Sequence, residues 1–145
     1  MGLSLRTKMK IAKPATDVFE AFVNPENMAH YWFTSGSGRW EQGKTITLRY
    51  EEYNAQLDIT ILEIEENKKI VYQWGGAGEQ TVVTIAFDEA ADATTIVDVS
   101  EDGWKENDPA LLDKLLGNKE GWVYVLTCLK GFLEYGVSLR GALVK

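Results

Sequence analysis

The sequence contains a single residue suited to general acid–base chemistry near neutral pH or to metal binding by imidazole, His30. It is followed at residues 31–33 by a tyrosine, a tryptophan and a phenylalanine, which could hold the ring in a cleft. Acid–base chemistry and metal binding both need partner side chains. The sequence does not show which carboxylates would lie beside His30. We therefore favour a structural or surface histidine over a catalytic one.

The other reactive groups are a cysteine and two aspartates within strands. Cys128 is the only cysteine, which excludes an internal disulfide and a multi-cysteine metal site. It falls on the apolar side of a predicted helix, so we expect a buried thiol rather than a nucleophile. Asp58 and Asp98 alternate with apolar residues and are expected to face solvent. These patterns predict no metal, no cofactor and no catalytic constellation, so an enzyme is the less favoured interpretation.

A glycine-containing segment at residues 34–38 resembles phosphate-binding loops in composition. Such loops follow a strand and open a helix, because the helix N-terminus supplies the N–H groups that hold the phosphate. This segment instead follows a predicted helical turn and precedes strand-like residues. We expect a flexible loop with no role in phosphate binding.

Composition and charge exclude several classes of partner. The formal net charge is −7, whereas nucleic-acid binding needs a concentrated basic face. Acidic residues such as Glu101 and Asp102 are interpreted as a solvated surface. No apolar run approaches the roughly 20 residues that span a bilayer, and the start of the chain lacks a signal-peptide pattern. We expect a cytoplasmic protein, folded as a single domain over residues 1–145, that binds neither nucleic acid nor membrane.

A long apolar helix over residues 121–136 is expected to organise the fold. Its main apolar face consists of Trp122, Val125, Leu126, Leu129, Phe132, Leu133 and Gly136. A second apolar stripe beside it consists of Tyr124, Cys128, Gly131 and Tyr135. The positions left for solvent are Val123, Thr127, Lys130 and Glu134. An ordinary surface helix buries a stripe of roughly 100°, and this helix needs about twice that, so we expect a curved sheet to enclose it.

Alternating apolar residues predict an antiparallel sheet of about six strands. The predicted strands cover residues 3–11, 45–50, 56–64, 70–74, 83–87 and 95–99. Short turns without intervening helices favour a meander for all but the first strand. The alternation slips by one residue at Leu62, which predicts a β-bulge that bends its strand.

Shorter helices are predicted on either side of this run of strands. Pro14 opens a helix that Asn24 and Pro25 end, and one or two further helical turns follow it. Asp108 is expected to cap another short helix, which ends at residues 117–118 before the long helix begins.

Three stretches carry a family resemblance. Residues 11–26 contain Ile-Ala-Lys-Pro, then Val-Phe-Glu-Ala-Phe and Asn-Pro-Glu, with Trp32 after them. Residues 95–103 read Thr-Ile-Val-Asp-Val and end in Glu-Asp-Gly. Residues 121–134 begin with Gly-Trp and later contain Leu-Lys at residues 129–130 and Leu-Glu at residues 133–134. Over residues 5–135 the chain resembles the helix-grip fold of the START-like (SRPBCC) superfamily. Within it, the motifs are similar to the branch related to the activator of the ninety-kilodalton heat-shock-protein ATPase.

The resemblance implies an α+β fold in which a curved antiparallel sheet of about six strands wraps around a long C-terminal helix, with two short helices after the first strand. It also implies a cavity between helix and sheet for a small hydrophobic or amphipathic molecule. Aromatic residues suit such a cavity because they combine apolar area with a polar group. The residues expected to bind the ligand are Trp32, Tyr50, Ile59, Tyr72, Trp74, Ile85, Trp104, Trp122, Leu126 and Leu129. The alternative is that these side chains simply fill the core.

The resemblance leaves two other functions open. Some superfamily members are cyclases or hydrolases that use the same cavity, and the branch includes a co-chaperone that acts in the stress response. A chaperone or a second copy of the chain is therefore an alternative partner, and an exposed apolar stripe at Tyr124, Cys128 and Tyr135 would favour such an interface. The chain departs from the branch at Gly43, where a glycine pair is common, and at residues 102–103, where a basic residue is common. These departures leave the ligand preference open.

Overall fold

An antiparallel sheet and a long helix form the two layers of the fold. The computed structural model describes residues 2–76 and 78–144. The strands in these residues are β1 Leu5–Ile11, β2 Ser35–Gly36, β3 Thr45–Tyr50, β4 Ala55–Glu65, β5 Lys69–Trp74, β6 Thr81–Glu89 and β7 Thr95–Asp102. The helices are α1 Ala15–Val23, α2 Pro25–Met28 and α3 Leu111–Tyr135, with a 3₁₀ turn at Glu51–Tyr53. The predicted α+β fold, with two short helices after the first strand, is confirmed.

The strands form one sheet in the order β1-β7-β6-β5-β4-β3-β2, and all neighbours are antiparallel. From β2 to β7 each strand pairs with the next one along the chain, which makes a meander. The first strand of the chain, β1, pairs with β7. Strand β4 shifts its register against β5 between Ile61 and Glu63, which leaves Leu62 44% exposed. The bulge predicted at Leu62 is therefore confirmed. Bulges of this kind bend and twist a strand, as a sheet that curves over a helix requires.

The core lies between the inward face of the sheet and the apolar side of α3. Val83 and Ile85 of β6 are fully buried, and Thr84 between them is partly exposed, as alternation predicts. Leu126 and Leu129 of α3 are also fully buried. Burial of each such side chain contributes roughly 1.5–3 kcal/mol to folding, so this layer contact supplies much of the stability. None of the helices in residues 2–76 and 78–144 has the length and apolar character that crossing a bilayer requires.

The structure differs from the sequence prediction at residues 34–38. Ser35 and Gly36 pair with Arg49 and Leu48, so part of the expected loop is the short edge strand β2. Serine and glycine are not strand-forming residues, and their pairing is decided by a partner strand distant in sequence. The expectation of a flexible loop was wrong at these two positions.

Helix α3 is continuous over 25 residues, whereas the sequence predicted a break at residues 117–118. A glycine inside a helix costs about 1 kcal/mol relative to alanine but does not end it. The first half of α3 forms contacts with residues outside the helix. Lys114 Nζ lies 2.5 Å from a carboxylate oxygen of Asp108. Asn118 Nδ2 also donates hydrogen bonds of 3.1 and 3.2 Å to the Glu101 carboxylate. These tertiary contacts outweigh the local breaker signal.

Polar side chains of α3 cover strand β1, which has a partner strand on one side only. Lys119 Nζ donates to the carbonyl oxygen of Arg6 at 2.5 Å, and Lys130 Nζ donates to the carbonyl oxygen of Lys10 at 2.7 Å. The backbone N–H of Ala12 donates to Glu134 Oε2 at 2.9 Å. The prediction that Lys130 and Glu134 simply face solvent was therefore wrong. An uncovered strand edge invites pairing with other chains, and these bonds satisfy part of it.

Glu134→Ala is expected to lower the free energy of unfolding by about 1–2 kcal/mol, the sum of an exposed hydrogen bond and a partly exposed ion pair. The substitution leaves the Ala12 N–H without its acceptor and removes the ion-pair partner of Lys130, which lies 2.5 Å away. Urea denaturation measures the change. The matched control is Thr127→Ala at an exposed position of the same helix, with an expected change within about 0.5 kcal/mol. Equally small effects at both positions would contradict a bridging role for Glu134.

Candidate functional site

Three cavities lie side by side along helix α3. We name them the tail cavity, the central cavity and the turn cavity, with volumes of about 640, 160 and 690 Å³. The tail and central cavities share the lining residues Tyr50, Gly121 and Val125. The central and turn cavities share Trp74 and Asn118. Together they form a cleft, here called the α3 cleft, whose two larger parts fall in the size range of small-molecule sites.

Aromatic rings that the sequence assigned to ligand binding surround the central cavity. They are Trp32, Tyr50, Trp74 and Trp122. The ring centroids of Trp32 and Trp122 are 5.4 Å apart, and those of Trp74 and Trp122 are 5.6 Å apart. On the helix side the cavity is lined by Gly117 and Gly121. Because neither glycine has a side chain, α3 leaves space for the indole rings at this point.

The remaining predicted ligand residues divide between the cleft and the core. Trp104 lines the turn cavity. The others are completely buried and form the core beside the cleft: Ile59, Tyr72, Ile85, Leu126 and Leu129. Burial raises the pKa of Tyr72 well above its usual value, and its hydroxyl has no hydrogen-bond partner in the described part of the chain. The aromatic members other than Tyr72 thus line the cleft, and Tyr72 and the aliphatic members support them from behind.

The chain that follows α3 covers the tail cavity. Arg140 Nε and Nη2 donate hydrogen bonds of 3.0 and 2.8 Å to the carbonyl oxygen of Trp32. Its Nη1 lies 2.6 Å from Glu52 Oε2, and its guanidinium carbon lies 5.9 Å from the centre of the Tyr50 ring. Leu143 and other residues of this tail line the cavity directly. Arg140 therefore ties the tail to the side chains that bound the tail cavity.

Two pKa values in the tail cavity are shifted by burial and hydrogen bonding. Burial raises the pKa of Tyr50 to about 12. The hydroxyl of Thr34, a backbone N–H and the guanidinium of Arg140 lower the pKa of Glu52 to about 2. At neutral pH the cavity therefore contains a neutral phenol and a carboxylate–guanidinium pair whose charges cancel. Its remaining lining is mostly aromatic and aliphatic, as a site for an apolar molecule needs.

A fully buried carboxylate lies beside the turn cavity. Glu101, near the end of β7, accepts hydrogen bonds from Trp74 Nε1 at 3.0 Å and from Thr81 Oγ1 at 2.5 Å. From α3, Trp122 Nε1 donates at 2.9 Å and Asn118 Nδ2 at 3.1 and 3.2 Å. This single carboxylate joins β5, β6 and β7 to the long helix and orients two rings of the central cavity.

The interpretation of Glu101 as a solvated surface residue was wrong. The signal that could have revealed its burial is the alternation of β7, in which Thr95, Val97 and Val99 face inward. Continuing that alternation by one step places residue 101 on the same inward face. The charge of Glu101 suggested that its side chain is exposed to solvent, whereas the two-residue period of the strand correctly indicates that it is buried in the core. The neighbouring Asp102 is exposed, as predicted.

His30 and Cys128 are the two reactive side chains that the sequence singled out. His30 is exposed, and its ring stacks on Phe132 with 4.7 Å between centroids. Cys128 is fully buried, and burial raises the pKa of its thiol. A thiol with a raised pKa is a poor nucleophile at neutral pH. The predictions of a surface histidine and a buried thiol are confirmed.

The second apolar stripe of α3 is largely covered rather than exposed. Cys128 is buried, and the Tyr124 hydroxyl donates to the carbonyl oxygen of Leu139 and accepts from the backbone N–H of Ala142. Tyr135 is 72% exposed. The tail thus occupies most of the stripe that would have favoured an interface with another chain.

Arg140→Ala is expected to release the tail, because the substitution removes the hydrogen bonds to Trp32 and the ion pair with Glu52. Amide hydrogen exchange over residues 137–144 should become at least tenfold faster, while exchange in β6 stays unchanged. Arg140→Lys is the matched variant: it keeps the charge but cannot form the same forked contacts, so intermediate exchange is expected. Unchanged exchange in Arg140→Ala would show that the tail is held by other contacts.

Comparison with known proteins agrees with this architecture. A crystal structure of the protein SSP2350 from Staphylococcus saprophyticus shares 48% sequence identity and covers 95% of this chain and 96% of its own, with a TM-score of 0.84. The solution structure of the Aha1 dimer from Colwellia psychrerythraea shares 20% identity, covers 92% of this chain and 98% of its own, and has a TM-score of 0.80. An HSP90 activator from Plasmodium falciparum shares 18% identity, covers 92% and 98%, and has a TM-score of 0.70.

At their low identity, the second and third similarities concern the fold alone. A search of curated proteins finds no match. The model of the family described as Activator of Hsp90 ATPase homolog 1-like protein matches residues 12–134, which includes every described helix and strand except β1 and the last residue of α3. Because this match extends over most of the chain, the protein belongs to the Activator of Hsp90 ATPase homolog 1-like family.

Proposed function

We propose that this protein binds a small apolar or amphipathic molecule in the α3 cleft. The observation that carries the proposal is the convergence of four aromatic rings on a gap between the helix and the sheet, with a larger cavity on either side. Aromatic side chains normally fill a core to high density. Here Trp32, Trp74 and Trp122 leave space beside the glycines of α3, and concave apolar space with a few polar groups is typical of ligand sites.

The polar groups at the two ends suit an amphipathic guest. The tail cavity offers the phenol of Tyr53 and the Arg140–Glu52 pair, and the turn cavity offers Asn118 and Thr81. The ligand residues that we propose are therefore those of the predicted set that line the cleft, with the buried aliphatic ones acting as support. The fold family is compatible with such a role.

Gly121→Leu is expected to weaken binding in the cleft at least tenfold, which corresponds to about 1.4 kcal/mol. A side chain at this position projects into open space, since a Cβ there would meet no heavy atom within 4 Å, and it lines both the tail and the central cavity. Leucine also has a higher helix propensity than glycine, so the fold should be preserved. The probe is N-phenyl-1-naphthylamine, an uncharged dye whose fluorescence rises in apolar surroundings.

Thr127→Leu is the matched control, because it adds a leucine at an exposed position of the same helix. It should bind the dye as the unmodified protein does. Equal affinities in the two leucine variants, or no saturable binding to the unmodified protein, would contradict a ligand site in the cleft.

A second candidate is a co-chaperone-like interaction with another protein. The observation that favours it is an exposed apolar stripe on the outer face of α3, where Leu112 is 67%, Leu116 61% and Val123 43% exposed. These positions lie at helical spacing on one side of α3. Similar folds occur in proteins described as an HSP90 activator and as an Aha1 dimer.

This candidate predicts that Leu112→Ser combined with Leu116→Ser abolishes any stimulation of the ATPase rate of HSP90 from the same host. Gly121→Leu should keep that stimulation, because it alters the cleft and not the outer face. The reverse pattern, with stimulation lost only in Gly121→Leu, would assign the effect to the cleft. Both serine positions are exposed, so their effect on stability should be within about 0.5 kcal/mol each.

A further inference from the structure

The Glu101 carboxylate is buried without a compensating cation. It forms no ion pair with any residue in the described ranges 2–76 and 78–144. Lys114 lines the same turn cavity, but its ammonium group lies 2.5 Å from Asp108 and 2.8 Å from Glu79. Buried charges are normally paired, because their desolvation is costly. The negative charge of Glu101 therefore acts on its surroundings, including the turn cavity.

The hydrogen-bonding capacity of this carboxylate is already used. Its two oxygens accept five contacts, from the indoles of Trp74 and Trp122, the hydroxyl of Thr81 and the amide of Asn118. All of these are neutral donors, and a carboxylate offers about four lone-pair sites. A guest in the turn cavity would thus experience the charge of Glu101 but find no free acceptor on it.

Indole rings surround this charge. Besides Trp74 and Trp122, which bond to the carboxylate, Trp104 Nε1 donates to the backbone carbonyl oxygen of Glu101 at 2.9 Å. Trp74 and Trp104 are only partly buried and line the turn cavity. The face of an indole ring attracts cations through its quadrupole, and aromatic cages of this kind recognise quaternary ammonium groups.

The rim of the turn cavity has the same sign of charge. Asp58 and Glu79 line it, and Lys114 is its one basic residue among those described. With Glu101 the lining carries three carboxylates against one ammonium group, whereas the charges of the tail cavity cancel. Groups of one charge that line a cleft strengthen the electrostatic potential inside it and attract ligands of the opposite charge.

We propose that the turn cavity binds a quaternary ammonium group carried on an apolar body. The inference rests on the proposed function, since it names the chemical class that one end of the α3 cleft takes. A quaternary ammonium ion needs no hydrogen-bond acceptor, so the saturated Glu101 carboxylate and the indole rings of Trp74 and Trp104 in the cavity lining suit it. A primary ammonium ion brings three N–H donors that Glu101 cannot satisfy. The apolar body would extend toward the central cavity, which shares Trp74 with the turn cavity.

Three ligands of one scaffold test this selectivity by isothermal titration calorimetry on the full chain. Benzyltrimethylammonium carries the charge without N–H groups, neopentylbenzene is its uncharged isostere, and benzylamine is a primary ammonium ion at neutral pH. We expect benzyltrimethylammonium to bind at least tenfold more tightly than either of the other two. Equal affinity for the charged and uncharged isosteres, or tighter binding of benzylamine, would overturn the inference.

Trp104→Leu is expected to weaken binding of benzyltrimethylammonium at least tenfold and to leave neopentylbenzene nearly unaffected, because leucine keeps apolar contact but has no ring quadrupole. Glu101→Gln should remove the preference for the cation, and near-ultraviolet circular dichroism checks that this variant keeps its packed aromatic core. If it does not, Trp104→Leu alone decides the outcome. Tyr135→Ser, at an exposed position outside the three cavities, is the control and should bind as the unmodified protein does.

The same preparations separate this inference from the proposed function. Saturable binding of N-phenyl-1-naphthylamine that Gly121→Leu weakens, without any preference for benzyltrimethylammonium, overturns only the ammonium site. Absence of saturable binding for the dye and for all three benzyl ligands contradicts both. Unchanged cation affinity in Trp104→Leu also overturns the ammonium site, whatever the dye shows.

Discussion

The buried carboxylate of Glu101 is the point at which the sheet and the long helix are joined. Hydrogen bonds to a charged group contribute roughly 1.5–3 kcal/mol each, but desolvation of an ion costs several kcal/mol, so the two effects largely offset each other. The main effect of this hydrogen-bond network is to fix the relative positions of the side chains that it joins. Because Trp74 of β5 and Trp122 of α3 both donate to Glu101, their rings are fixed relative to one another. The bond from Asn118 fixes the rotation of α3 about its own axis.

The two sides of helix α3 have different surroundings. On one side it packs most closely on β1, where Lys119, Lys130 and Glu134 bond to backbone or side-chain groups of that part of the chain. On the other side, Gly117 and Gly121 face aromatic rings across the central cavity. The same helix therefore covers an open strand edge and bounds a cleft. Filling the second side with large residues would produce an ordinary core, so the two glycines decide that a cleft exists.

The two ends of the α3 cleft differ in charge and in the segments that bound them. The tail cavity is bounded by a segment that depends on Arg140, and its ionised groups cancel in pairs. The turn cavity is bounded by strands, by α3 and by the turn after β5. In that turn Gly75 adopts φ 111°, and a Cβ there would lie 2.8 Å from the carbonyl oxygen of Glu79. A side chain at residue 75 would therefore be strained and would collide with the backbone, so this position of the wall requires glycine.

The sequence by itself determined the two layers, the strands from β3 to β7 and the bulge at Leu62, because alternation and helical stripes depend only on residues close together in the chain. The predicted ligand set includes the three tryptophans and the tyrosine around the central cavity, but not Tyr31, Tyr53 and Tyr124 of the tail cavity. It could not distinguish inward residues that border a gap, such as Trp74, from those that fill the core, such as Ile85, since that depends on how far α3 stands from each strand. Tertiary structure alone decided the hydrogen-bond partners of Glu101, the continuity of α3 and the docking of Arg140. Each of these is set by partners far apart in the chain, whose contacts outweigh the local signals for a solvated acid and for a helix break.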